Sequence, residues 1–136
     1  MTLKDFEQII YMKSEIEVLD RRLQREQAKV GEFVSDYAKD YRSGQGRVIT
    51  IQGYSIANSK KINEIWLLLE ARRIRLVEKV FEAEQYIASI PDSKIRILLT
   101  LRFLEGEEWK DVARRFYKKM SEDSARKCVM RHFENA

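Results

Sequence analysis

An all-α fold follows from three features of this sequence. Apolar residues recur at steps of three and four over most of the 136 residues, the spacing that lines one face of a helix. Only five Gly and one Pro interrupt the pattern, so breaks are few. Charged residues make up 35% of the chain and hydrophobic residues 44%. That mixture suits amphipathic helices and argues against a disordered chain. The predicted architecture is a long antiparallel helical hairpin over residues 1–90, followed by a module of three short helices over residues 91–136.

The first helix is predicted over about residues 3 to 42, with Thr2 or Asp5 as its N-terminal cap. Its seam reads Ile9, Met12, Ile16, Leu19, Leu23, Glu26, Val30, Phe33 and Tyr37, a heptad series with one polar member. Next comes "RSGQGRVITIQGYSIANS", which holds three of the five Gly residues. It predicts a connection over about 43–57, an irregular loop or, through the alternation of "VITIQ", a short strand. The second helix starts at Asn58 or Ser59 and ends at Pro91, which disfavours helix in the residue before it. Its seam reads Ile62, Trp66, Leu69, Arg73, Leu76, Val80, Ala83, Ile87 and Ile90. Leu67, Ile74, Phe81 and Ala88 add a second apolar stripe, wider than one partner helix covers. This stripe calls for a homodimer through the hairpin, or for the C-terminal module to pack over it. If Ile9 lies opposite Ile90, then Glu26 faces Arg73, and the lone polar residues of the two seams meet as opposite charges.

After Pro91 the helices shorten. "DSKIRILLTLRFLEG" starts at Asp92 or Ser93, turns Ile95, Leu98, Leu99 and Phe103 inward, and stops at Gly106. "EEWKDVARRFYKK" places Trp109, Val112, Ala113 and Phe116 at helical spacing. "SEDSARKCVMRHFEN" takes Ser121 or Asp123 as cap and turns Ala125, Val129 and Phe133 inward.

Charge points to a partner. The chain carries a net +4, yet the stretch from Arg114 to Arg131 alone holds seven basic and two acidic residues. A surplus concentrated on one segment is the footprint of a polyanion-binding surface. Glu122 and Asp123 suit the first turn of a helix. A single Cys, Cys128, excludes an internal disulfide and reads as a small buried or half-buried residue. With a single His, His132, read as a surface or phosphate-side residue, it makes a zinc site improbable. Neither a metal site nor another cofactor is expected. The longest apolar run, "IWLLL", falls short of the roughly 20 residues a membrane helix needs, and the charged N-terminus lacks a signal-peptide layout. A cytoplasmic protein is expected. Trp66 and Trp109 read as core anchors. No catalytic constellation is recognisable, so an enzyme is not expected.

Three short helices, the last with a basic outer face, suit a helix-turn-helix. The residues go further: "LRFLEG", "WKDVA" and "DSARK", within "IPDSKIRILLTLRFLEGEEWKDVARRF" and the helix after it, resemble region four of bacterial sigma factors. The nearest resemblance is to sigma-like regulators of phages and prophages of Gram-positive bacteria, of the ArpU and RinA types. It covers about residues 90 to 134; over 1–90 it is only architectural. It implies a bacterial host cell and sequence-specific duplex DNA binding, with a recognition helix over about 122–134 in the major groove. Ser124, Arg126, Lys127 and Arg131 then face the DNA, while Arg114, Arg115, Lys118 and Lys119 hold phosphates. It also implies RNA polymerase as a further partner. The turn "FYKKMS" departs from the pattern: it is about two residues longer than the usual sigma turn and lacks Gly. Two other readings fit the same layout. One is a small terminase subunit that recognises viral DNA for packaging. The other is a helical polymerase-binding modulator without DNA contact.

Overall fold

Helix α1 spans Leu3–Arg42 and α2 spans Val48–Ser89; α3, Ser93–Leu99, continues directly into a π-helical turn, Thr100–Leu104; α4 is Trp109–Arg114 and α5 is Glu122–Glu134. The computed structural model describes residues 1–42, 48–116 and 120–135, with the side chains of 31–42 and 48–58 left aside. Among the described residues there is no strand, and no helix is long and apolar enough to cross a membrane. The fold is all-α, as the periodicity predicts.

The first turn of α1 shows why it starts where it does. The Thr2 hydroxyl accepts from the Asp5 amide at 3.3 Å, and the Asp5 carboxylate accepts from the Thr2 amide at 2.8 Å. This reciprocal cap satisfies two amides that no helical carbonyl can reach. The expected connection over 43–57 is shorter than predicted: α2 already begins at Val48, so "VITIQ" is helical. Val, Ile and Thr cost only a few tenths of a kcal/mol each in a helix, and one Gly about 1 kcal/mol. A helix nucleated downstream propagates through them, because each added residue gains a backbone bond. Residues 43–47 of the predicted connection, and the side chains of Phe33 and Tyr37 in the first seam, lie outside the described residues.

The chain divides into two compact units, Met1–Ser14 with Ile74–Ala136, and Glu15–Arg73. The boundary expected after residue 90 therefore does not mark where the units part. In the first unit Phe6 is completely buried. Its ring meets those of Tyr86, Phe103 and Phe133 with centroids 5.7, 5.4 and 5.5 Å away. Ile9, Ala83, Ile87 and Ile90 share this core with the short helices. The corner after α2 is closed by Arg96, which donates to the Ile90 carbonyl and to the Ser93 hydroxyl, both at 2.7 Å. Asp92 caps α3 by accepting from the Lys94 amide at 2.9 Å.

The end of the π-helical turn is similarly fastened. The Glu105 amide donates to the Thr100 carbonyl at 2.9 Å and the Glu107 amide to that of Leu101 at 3.0 Å. Gly106 sits at φ 73°, the left-handed conformation such a stop requires. Lys13 donates to the Leu104 carbonyl.

In the second unit Leu19 and Leu23 pack against Ile65 and Leu69. The pairs Glu26–Lys61, at 3.1 Å, and Glu15–Arg72 show that the two segments run antiparallel. The predicted Glu26–Arg73 pair does not form. Glu26 is held by Lys61 and Lys29, each at 3.1 Å; Arg73 is exposed and pairs with Glu70 at 2.9 Å and Asp20 at 3.9 Å. The register differs from the predicted one by about three helical turns. A shift close to whole turns keeps Ile62 and Leu69 in the seam, so much of the apolar pattern fits both alignments. Trp66 leaves the predicted seam and is 49% exposed, while Ile65 takes its place at 5%.

Candidate nucleic-acid interface

Helix α5 is built to show one face. The Ser121 hydroxyl caps it by accepting from the Ser124 amide at 3.0 Å. Ala125 and Val129 are buried to 0 and 1% exposure, and Phe133 packs on the same core. These are the three anchors expected from the i, i+4 spacing. They press α5 onto α3 and α4 and leave the opposite side outward.

Ser124, Arg126, Lys127 and Arg131 are all exposed, but the helix does not bring all four together. At about 100° per residue, Ser124, Lys127 and Arg131 fall within about 60° of one another. Arg126 lies about 100° from Lys127 and about 140° from Arg131, on the other flank. Its surroundings differ as well. Arg126 pairs with Glu122 at 3.1 Å and Asp123 at 3.6 Å, so its charge balances the acidic first turn. No described carboxylate lies within ion-pair reach of Lys127 or Arg131. The two cations without a partner therefore share one arc.

The residues expected to hold phosphates divide as well. Arg114 and Arg115 are exposed at the end of α4. Arg114 is within 4.0 Å of Asp111. Arg115 grips the Glu107 carboxylate with two donors, its Nε at 2.9 Å from Oε2. Exposed pairs of this kind contribute about 0–1 kcal/mol and open at little cost. Lys118 and Lys119 lie outside the described residues. Cys128 is half-buried. His132 is not a free surface residue: its Nε2 is 2.9 Å from the Tyr86 hydroxyl, which ties α5 to α2.

Beside Arg126 lies a cleft of about 500 Å³ between the first turns of α1 and α5. Phe103, Trp109, Val129 and Met130 form its apolar walls with Leu3, Ile10 and Tyr11, and Glu7, Arg102 and Arg126 line it too. The Arg102 guanidinium stands 5.4 Å over the Trp109 ring, and its Nη1 donates to the Glu107 carbonyl at 2.9 Å. Its Nε is buried with no acceptor among the described residues. Nothing in the local pattern of "LRFLEG" signals this placement, because it depends on α1 closing over the short helices. Among the described residues no group of three His, Cys, Asp or Glu side chains is placed to hold a metal ion.

No protein-family model, no curated protein and no solved structure matches this chain. The functional reading therefore rests on the residues and their geometry.

Proposed function

We propose that this chain is a sequence-specific duplex DNA-binding protein, a transcriptional regulator of a phage or prophage, with α4 and α5 as its helix-turn-helix. The observation that carries the reading is the arc of Ser124, Lys127 and Arg131 on α5. It combines an exposed hydroxyl with two cations that no described carboxylate neutralises. Hydroxyls and Arg side chains read base edges in the major groove, and Lys and Arg hold phosphates. Arg114 and Arg115, at the end of the preceding helix, suit the backbone contacts that the first helix of such a pair makes.

A DNA reader of this kind gains from pairing. Ile74, Val77 and Phe81 are 60, 69 and 58% exposed on α2, and the C-terminal module does not cover them. Homodimerisation, one of the two coverings expected from sequence, buries them in this reading. The same stripe favours a second reading, a helical protein that binds RNA polymerase or another protein without touching DNA. A packaging role as a small terminase subunit would need a ring of many copies.

The test is selection of bound fragments from genomic DNA by the intact protein, followed by titration of the selected duplex and a scrambled one across salt. The expected result is a tighter complex with the selected duplex and an affinity that falls steeply with salt. Equal affinity for both duplexes would overturn sequence specificity. No binding to either at low salt would leave the protein-binding reading.

A further inference from the structure

We infer that the cleft between α1 and α5 is a binding site for a small apolar carboxylate. The proposal deepens the DNA-binding reading, and its regulatory consequence rests on that reading. The volume of about 500 Å³ falls in the range of small-molecule sites, which are mostly apolar with a few placed polar groups. Tyr11, Phe103, Trp109 and Met130 supply the apolar surface. Arg102 supplies the polar group. It is held over Trp109 and by the Glu107 carbonyl, so its planar fork is oriented before any ligand arrives. A preorganised guanidinium suits a carboxylate better than any neutral group.

Two arginines, Arg102 and Arg126, line the cleft with one carboxylate, Glu7. Arg126 is already balanced by Glu122 and Asp123, so the anion is drawn chiefly by Arg102 and is opposed by Glu7. Arg126 is shared between the cleft and the acidic first turn of α5, where it pairs with Glu122 and Asp123. A carboxylate in the cleft competes for Arg126 and leaves those two acids uncompensated. They stand at the end of the helix proposed to enter DNA, so a bound carboxylate weakens the DNA complex.

The experiment uses the full chain with Trp66→Phe, which leaves Trp109 as the only Trp and thus a reporter in the cleft. Octanoate and octanol, with eight carbons each, are titrated against Trp109 fluorescence. Octanoate is expected to saturate a single site with about tenfold higher affinity than octanol, because the carboxylate gains charge-assisted hydrogen bonds. Arg102→Gln should erase that preference, and Glu7→Gln should strengthen octanoate binding. Opposite effects from two substitutions in one cleft are not produced by general unfolding, and Glu7→Gln still decides if Arg102→Gln fails to fold. No saturable response, equal affinity for octanol, or an octanoate preference retained in folded Arg102→Gln would overturn the site. Saturating octanoate should also lower affinity for the selected duplex, and unchanged affinity would overturn the coupling through Arg126. A chain that binds octanoate but no DNA would count against the DNA reading and leave the site standing.

Discussion

Arg126 and Arg131 share a helix and a charge, yet their surroundings assign them different tasks. Arg126 neutralises Glu122 and Asp123, and Arg131 has no described carboxylate within reach. Arg131→Ala should therefore cost about 1–3 kcal/mol on the preferred duplex and relax preference at one position. Arg126→Ala should weaken every duplex to a similar degree, because it uncovers two negative charges rather than removing a base contact. Anisotropy titrations of both variants on selected and scrambled duplexes, across salt, separate the two roles. A loss of sequence preference in Arg126→Ala, with Arg131→Ala unchanged, would reverse the assignment. The chain pattern alone places all four residues outward. It does not show which cations are already paired, because pairing depends on the side-chain geometry of the first turn.

At the scale of the element, the ends of α1, α3 and α5 and most inward positions are legible in the sequence, whereas the start of α2, the exposure of Trp66 and the alignment of α1 with α2 are not. Glu26 marks the difference. Hydrogen bonds from Lys61 and Lys29 hold its carboxyl below the ordinary carboxylate range. Glu26→Leu and Lys61→Leu should be non-additive, whereas Glu26→Leu and Arg73→Leu should add within about 0.5 kcal/mol, as separated residues do. Denaturant melts of the single and double variants measure both cycles, and coupling of Glu26 to Arg73 instead would restore the alternative register. The pH dependence has a definite sign. A depressed folded pKa means a contribution that is present above the ordinary carboxylate value of about 4.5 and is lost as the pH falls below it. The stability gap between the wild type and Glu26→Gln should narrow on acidification, and a gap that widens would contradict the pairing. The exposed stripe on α2 makes the second test at this scale. Phe81→Asp should dissociate the proposed dimer in sedimentation experiments, with helix content unchanged. A wild type that stays monomeric at tens of micromolar, in the range where weak dimers assemble, would remove the dimer from the reading.

Across the whole molecule, the first compact unit is completed by residues from the opposite end of the chain. Phe6 lies far in sequence from the short helices, yet its ring touches both Phe103 and Phe133. Phe6→Ala should cost about 3–5 kcal/mol and abolish DNA binding, although Phe6 is remote from the proposed reading face. Tyr11→Ala, at a residue 66% exposed, should change stability by no more than about 0.5 kcal/mol. Urea denaturation compares the two, and a mild effect at Phe6 would show that the short helices hold together without α1. The local features are readable from the chain alone: an all-α fold, the stop at Gly106, the anchoring face of α5, and caps for α1, α3 and α5 narrowed to two residues each, of which the structure uses Thr2 with Asp5, Asp92 and Ser121. Each depends on residues within one or two turns of each other, whose spacing dictates which side they share. Long-range packing sets the register between α1 and α2, the exposure of Trp66, the burial of Phe6 and the cleft at Arg102. The reason is that helix faces repeat every three or four residues, so several alignments offer the same apolar pattern. Cross-helix packing, through contacts such as Leu19 and Leu23 on Ile65 and Leu69, selects among them.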